Sequence, residues 1–117
     1  MFGAIFGALG VLLGAFGAHA LRGTIDDAAL QVWHTAVDYQ FWHALALLTI
    51  SLSPLPVTRW LRGSGLAFVA GIVLFCGSLY ALALGAPHSV GIITPFGGVS
   101  FIAAWIMTAV AITRHQR

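Results

Sequence analysis

Between Phe2 and Leu21 the sequence carries no Asp, Glu, Lys or Arg, and three later stretches are nearly as apolar. Each is about 20 residues long, which at 1.5 Å of rise per helical residue gives roughly 30 Å, the thickness of the hydrocarbon core of a bilayer. Inside hydrocarbon every backbone N–H and C=O must be satisfied within its own segment or in a closed barrel, so runs of this length are read as helices. Composition agrees, because 60% of the 117 residues are hydrophobic and 7% are charged, with neither Lys nor Glu. Soluble domains carry roughly a quarter charged residues. The net charge of +2 is therefore an orientation signal and gives no reason to expect nucleic-acid binding. The single cysteine, Cys76, sits in an apolar run. That excludes a disulfide framework, a CxxC redox pair and a cysteine metal cluster, and leaves a small packing residue.

The expected fold is all-α and integral to a membrane: a single four-helix transmembrane domain over residues 1–117, with spans near 2–21, 33–52, 66–84 and 95–113. Ala18-His19-Ala20 has the small-x-small look of a signal-peptide cleavage site, but no Arg or Lys precedes it to form a basic n-region, so the first span is expected to be retained. From Ile25 the pattern stays helical to Ser51, longer than one crossing. Its first turns are expected to lie at the interface as a helical extension, with Thr24 as N-cap and Trp33 at headgroup level. Ser53-Pro54-Leu55-Pro56 ends that helix. Val57 to Ser64 reads as a loop in which Arg59, Trp60 and Arg62 anchor at the interface, and Thr94-Pro95 reads as an N-cap followed by proline at the first helical position.

Four crossings place both termini and the middle loop on one side. That side collects Arg59, Arg62, Arg114 and Arg117, whereas the other has Arg22 beside Asp26 and Asp27. The positive-inside rule makes the arginine-rich side cytoplasmic, as in a bacterial inner membrane. Gly3, Gly7, Gly10, Gly14 and Gly17 fall within one arc of the first helix, a small-residue stripe along which another backbone can approach closely. Gly71 and Ser78, with Ala67, Ala81 and Gly85, form a looser counterpart on the third helix. These stripes predict a compact bundle, a tight homo-oligomer, or both.

Four ordered pieces, GAFGAHAL at Gly14 to Leu21, the run from Trp33 to His43, FCGSLY at Phe75 to Tyr80 and ITPFGG at Ile93 to Gly98, resemble the YgdD-like family of small bacterial inner-membrane proteins. This is a domain-of-unknown-function family with an animal counterpart among transmembrane proteins. The resemblance covers nearly the whole chain and implies a four-helix membrane protein. It implies no activity, substrate or catalytic residue.

The polar residues inside the apolar runs carry the site expectations. By helix rise, His19 and His34 lie within a few Å of the outer boundary, Asp38 and Tyr80 at roughly 9 Å, and His43 at roughly 15 Å. Together with Tyr39 these six form a candidate polar cluster in the outer half of the bundle. Asp38 is the centre of that expectation, since a carboxylate within a membrane must find a partner or stay protonated. It is expected to point into the bundle, near His34 and Tyr80. The cluster is read either as a register-fixing network or as a proton-linked or ligand site. His19, His34 and Asp38 could make a facial metal set at the outer boundary, so metal binding stays open, whereas no other cofactor is expected. The leading function is therefore a non-enzymatic accessory or structural membrane protein. The alternatives are a small proton-linked transporter or channel with an outward-facing pocket around Asp38, and a metal or small-ligand binder. The expected partners are membrane lipids and either a second copy or a larger membrane complex.

Overall fold

The computed structural model describes residues 1–116 and is all helical. Four rods run up and down: α1 (Phe2–Leu21), α2 (Asp27–Leu52), α3 (Arg59–Ala83) and α4 (His88–Gln116). Three of them, α1, α3 and α4, are long and apolar enough to cross a membrane. The 26 residues of α2 are as long, but Asp38, Gln40 and His43 break its apolar character.

The local chemistry moves several expected boundaries. Asp26, not Thr24, caps α2, its carboxylate accepting from the N–H of Ala29 at 2.7 Å. The hydroxyl of Thr24 donates instead to the carbonyl of Ala20, and Gly23 turns the chain with φ +83. The expected interfacial extension is thus the first part of one uninterrupted helix. Most of the expected Val57–Ser64 loop is likewise helical, because Thr58 caps α3 by accepting from Leu61 N–H. The last rod opens with a tight 3-10 turn at His88–Ile92 and is α-helical from Ile93, so Thr94 lies inside the first α-helical turn rather than capping it, and Pro95 is the third residue of that helix rather than the first. Proline is tolerated there because first-turn N–H groups have no intrahelical acceptor.

The stripe on α1 faces α2. A Cβ added at Gly3 would lie 2.7 Å from the backbone nitrogen of Leu48, at Gly10 3.2 Å from Phe41, at Gly14 3.4 Å from Val37 and at Gly17 2.6 Å from Trp33. The partner's number falls as the α1 number rises, the register of two antiparallel helices in contact from Gly3 to Gly17 and from Leu48 to Trp33. Gly7 departs from the stripe, with nothing near its added Cβ. On α3, Gly71 meets the ring of Phe101, and Gly97 of α4 lies against the backbone of Phe75. The backbones pack serially, α1 on α2, α2 on α3 and α3 on α4, and side chains of α2 reach across to α4. The outer face of α1 is left bare, with Leu12 and Val11 at least 60% exposed.

Two π-helical turns interrupt the ladders, at Gly17–Leu21 and Ile72–Cys76. Next to the first, the indole N–H of Trp33 donates to the carbonyl of Leu13 at 2.8 Å. Trp33 is 2% exposed and packs edge-on against Tyr80 at 4.6 Å. It is therefore a core residue joining α1, α2 and α3, and the expectation of a headgroup anchor is corrected.

Candidate functional site

The six residues of the expected polar cluster are not brought together. Two helical faces separate them. The inner set contains Tyr39, His43 and Tyr80, whereas His19, His34 and Asp38 lie on the exposed exterior. Asp38 makes no hydrogen bond or ion pair to a protein group among the described residues. Its side chain points away from the core because Ala36, Val37, Gln40 and His43 occupy the buried arc of α2. The facial metal set fails for the same reason: among the described residues, no three His, Cys, Asp or Glu side chains converge. Among the described residues, clefts of about 270 to about 490 Å³ are lined by other side chains and not by Asp38, so they do not supply the outward pocket expected around it.

Inside, the polar groups are engaged with one another. Gln40, 3% exposed, donates through Nε2 to the carbonyl of Phe6 on α1 at 2.8 Å. Its Oε1 accepts from the hydroxyl of Tyr80 on α3 at 2.7 Å. A carbonyl can only accept, so the amide orientation is fixed by the Phe6 bond. His43 contacts the carbonyl of Tyr39 through Nδ1 at 2.7 Å and accepts from the indole N–H of Trp105 on α4 at Nε2, 3.1 Å away. Both bonds form only in the neutral ring protonated at Nδ1, because the carbonyl accepts and the indole donates. The imidazole also stacks on Phe101, centroids 3.7 Å apart and planes 13° apart. Ser78 shares a 2.6 Å hydroxyl bond with Thr94, and Ser100 donates to the carbonyl of Ala67. Tyr39 joins this interior by its ring, edge-on to Phe75 at 4.7 Å.

Gln40, Trp33 and Trp105 were missed as members of the polar interior. Helical spacing carries the signal for the first two: Trp33, Ala36, Val37, Gln40, Ala44 and Leu47 recur every three or four residues on the buried arc.

The opposite arc of α2 is exposed from Gln31 through His34, Thr35, Asp38, Trp42 and Leu45. Trp42 is 57% exposed. His34 and Asp38 are one turn apart on it, an acid and a base on a surface otherwise made of neutral side chains. At the far end of the molecule Arg59 and Arg114 lie over the ring of Trp60, each guanidinium carbon 5.3 Å from its centroid.

Comparison with known proteins shows the lineage. A family model described as a protein of unknown function, DUF423, matches residues 13–98. The chain is 48% identical over 115 residues to the UPF0382 membrane protein YwdK of Bacillus subtilis, covering 97% of this chain and 94% of the relative. It is 39% identical over 118 residues to the UPF0382 inner membrane protein YgdD of Escherichia coli, covering 100% and 90%. A UPF0382 membrane protein of Haemophilus influenzae is 42% identical over 106 residues, 91% and 86% of the two chains. No solved structure matches. With its apolar helices and the full-length similarity to these membrane proteins, the chain belongs to the DUF423 family, the YgdD-like membrane proteins of unknown function.

Proposed function

We propose that this is a non-enzymatic inner-membrane protein of four spans, termini and α2–α3 loop cytoplasmic, that acts by assembling in the membrane through the exposed face of α2. The observation that carries the reading is Asp38, exposed on the exterior of α2. A charged side chain facing hydrocarbon costs up to about 2.5–3.5 kcal/mol at a helix centre on insertion scales, so a protein cover over this face is favoured.

The interior supports a structural role. The buried polar residues Gln40, His43, Ser64 and Ser78 each make hydrogen bonds within the protein. The fourth span is supported by the register of α2, which lies against α1 from Trp33 to Leu48. The inward-facing Gln40 and His43 lower its hydropathy without meeting lipid.

The occupant we assign to the α2 face is a second copy, related by a two-fold axis along the membrane normal. His34 and Asp38 are separated by roughly 6 Å of helix rise, a gap their side chains can bridge between two copies, and the small Thr35 between them allows close approach. The test is oxidative crosslinking in native membranes of the Thr35→Cys variant, with Val11→Cys on the bare face of α1 as control. The expected result is a dimer band from Thr35→Cys alone, lost when Asp38→Leu is added. Equal crosslinking at the two positions, or none at Thr35→Cys, would overturn the reading. A crosslink to a different protein would replace self-association by an accessory role.

A further inference from the structure

A cleft of about 490 Å³ lies between the start of α3 and the end of α4, at the end of the bundle away from Asp26 and Asp27. Arg59, Arg114, His115 and Thr58 line it around Trp60. The chain's acidic side chains are Asp26, Asp27 and Asp38. Among the described residues none of them forms an ion pair with either guanidinium. Both cations instead lie against one indole, a cation–π arrangement that holds them at the same cleft. Two like charges at one cleft, with no acidic side chain paired to them among the described residues, raise the local potential for an anion.

Two grooves continue from this head. One, about 340 Å³, shares Arg114 and runs along Ile106, Ala109 and Val110. The other, about 360 Å³, shares Arg59 and Trp60 and reaches Met107. A basic head opening onto two apolar grooves on the bundle exterior has the form of a phosphate-headed amphiphile with two chains. A free phosphate would use the head alone.

We propose that this cleft binds the phosphate of an anionic phospholipid, with Arg59 and Arg114 on the phosphate and the acyl chains in the two grooves. Guanidinium suits the task because its forked donors match phosphate oxygens bidentately. The site is independent of the α2 face and requires only that the protein reside in a membrane.

The test is native mass spectrometry of the full-length protein purified in neutral detergent and supplied with equal amounts of phosphatidylglycerol and phosphatidylcholine. Phosphatidylglycerol should be retained preferentially. In the Arg59→Gln/Arg114→Gln variant that preference should fall by about twenty-fivefold, from roughly fivefold per basic side chain near an anionic headgroup. Arg22→Gln, at the opposite end, should keep it. Equal retention of the two lipids by the parent protein would overturn the proposal without recourse to any variant. So would an unchanged preference in the double arginine variant. Displacement of phosphatidylglycerol by millimolar inorganic phosphate would reassign the site to a soluble anion.

Discussion

Gln40 is where three helices meet, and its two bonds make a prediction in which neighbouring substitutions do not add. Within a membrane an interhelical hydrogen bond contributes on average about 0.6 kcal/mol, whereas a buried hydroxyl left unpaired costs about 1–3 kcal/mol. Gln40→Leu removes the bonds to Phe6 and Tyr80 and orphans the Tyr80 hydroxyl, so it should cost about 2 kcal/mol on these figures. Tyr80→Phe loses one bond and leaves the buried Oε1 of Gln40 without a donor, so it should cost a similar amount. Combining them deletes the orphan, so the double variant should be no less stable than Gln40→Leu alone. Unfolding titrations of the three variants in mixed detergent measure this, and simple additivity would show that the Gln40–Tyr80 bond is not formed. Sequence depth made Asp38 the focus and passed over Gln40. The two lie only two residues apart, yet two steps of 100° turn them roughly 200° around the helix, one outward and one inward. Depth is read directly from residue number, but azimuth is set by the neighbouring helix, which is why the polar cluster was not legible and its members divided.

At the scale of the element, α1 shows what was legible. Its glycines recur at helical spacing, and small residues are the packing instruction that survives in lipid, where apolar side chains gain nothing by avoiding the solvent. Four of the five glycines lie against α2 and one does not, so the helix contains its own control. Gly3→Ala would drive a methyl toward the backbone of Ala44 and Leu48, at 2.9 and 2.7 Å, where no rotamer change relieves the contact. Gly7→Ala meets open space and replaces a poor helix former by the best, a gain of up to about 1 kcal/mol in aqueous hosts. Thermal denaturation in detergent should therefore move in opposite directions, down for Gly3→Ala and up or unchanged for Gly7→Ala. A loss of equal size at both positions would mean that Gly7 too is covered, by a second molecule on α1. The starts of α3 and α4 were less legible because the cues there compete. Arg59, Trp60 and Arg62 look like an interfacial loop by composition, and only the Thr58 cap reveals the helix beneath them. Thr94-Pro95 resembles a helix start but follows a 3-10 turn that has already begun the rod.

For the molecule as a whole, the parity of its crossings decides the topology, and α2 decides the parity. α1, α3 and α4 are apolar enough to cross on their own, whereas α2 carries Asp38, Gln40 and His43 and depends on its neighbours. If α2 crosses, the number is even and both termini share a side; if it lies along the surface, the number is odd and they part. The packing favours crossing, because α2 returns along α1 from Gly17 opposite Trp33 to Gly3 opposite Leu48. That brings Arg59 and Arg62 to the end where α4 delivers Arg114, and an arginine-rich end is retained in the cytoplasm. Fusions at each terminus of a reporter that is active only in the cytoplasm should therefore both give signal. A periplasm-only reporter placed in the turn at Gly85, between α3 and α4, should be active. Opposite signals from the two termini would remove α2 from the membrane and with it the reading of Asp38 as an assembly face. Matching signals of the inverted sense would keep four spans but show that five arginines and three aspartates do not set the orientation of this chain.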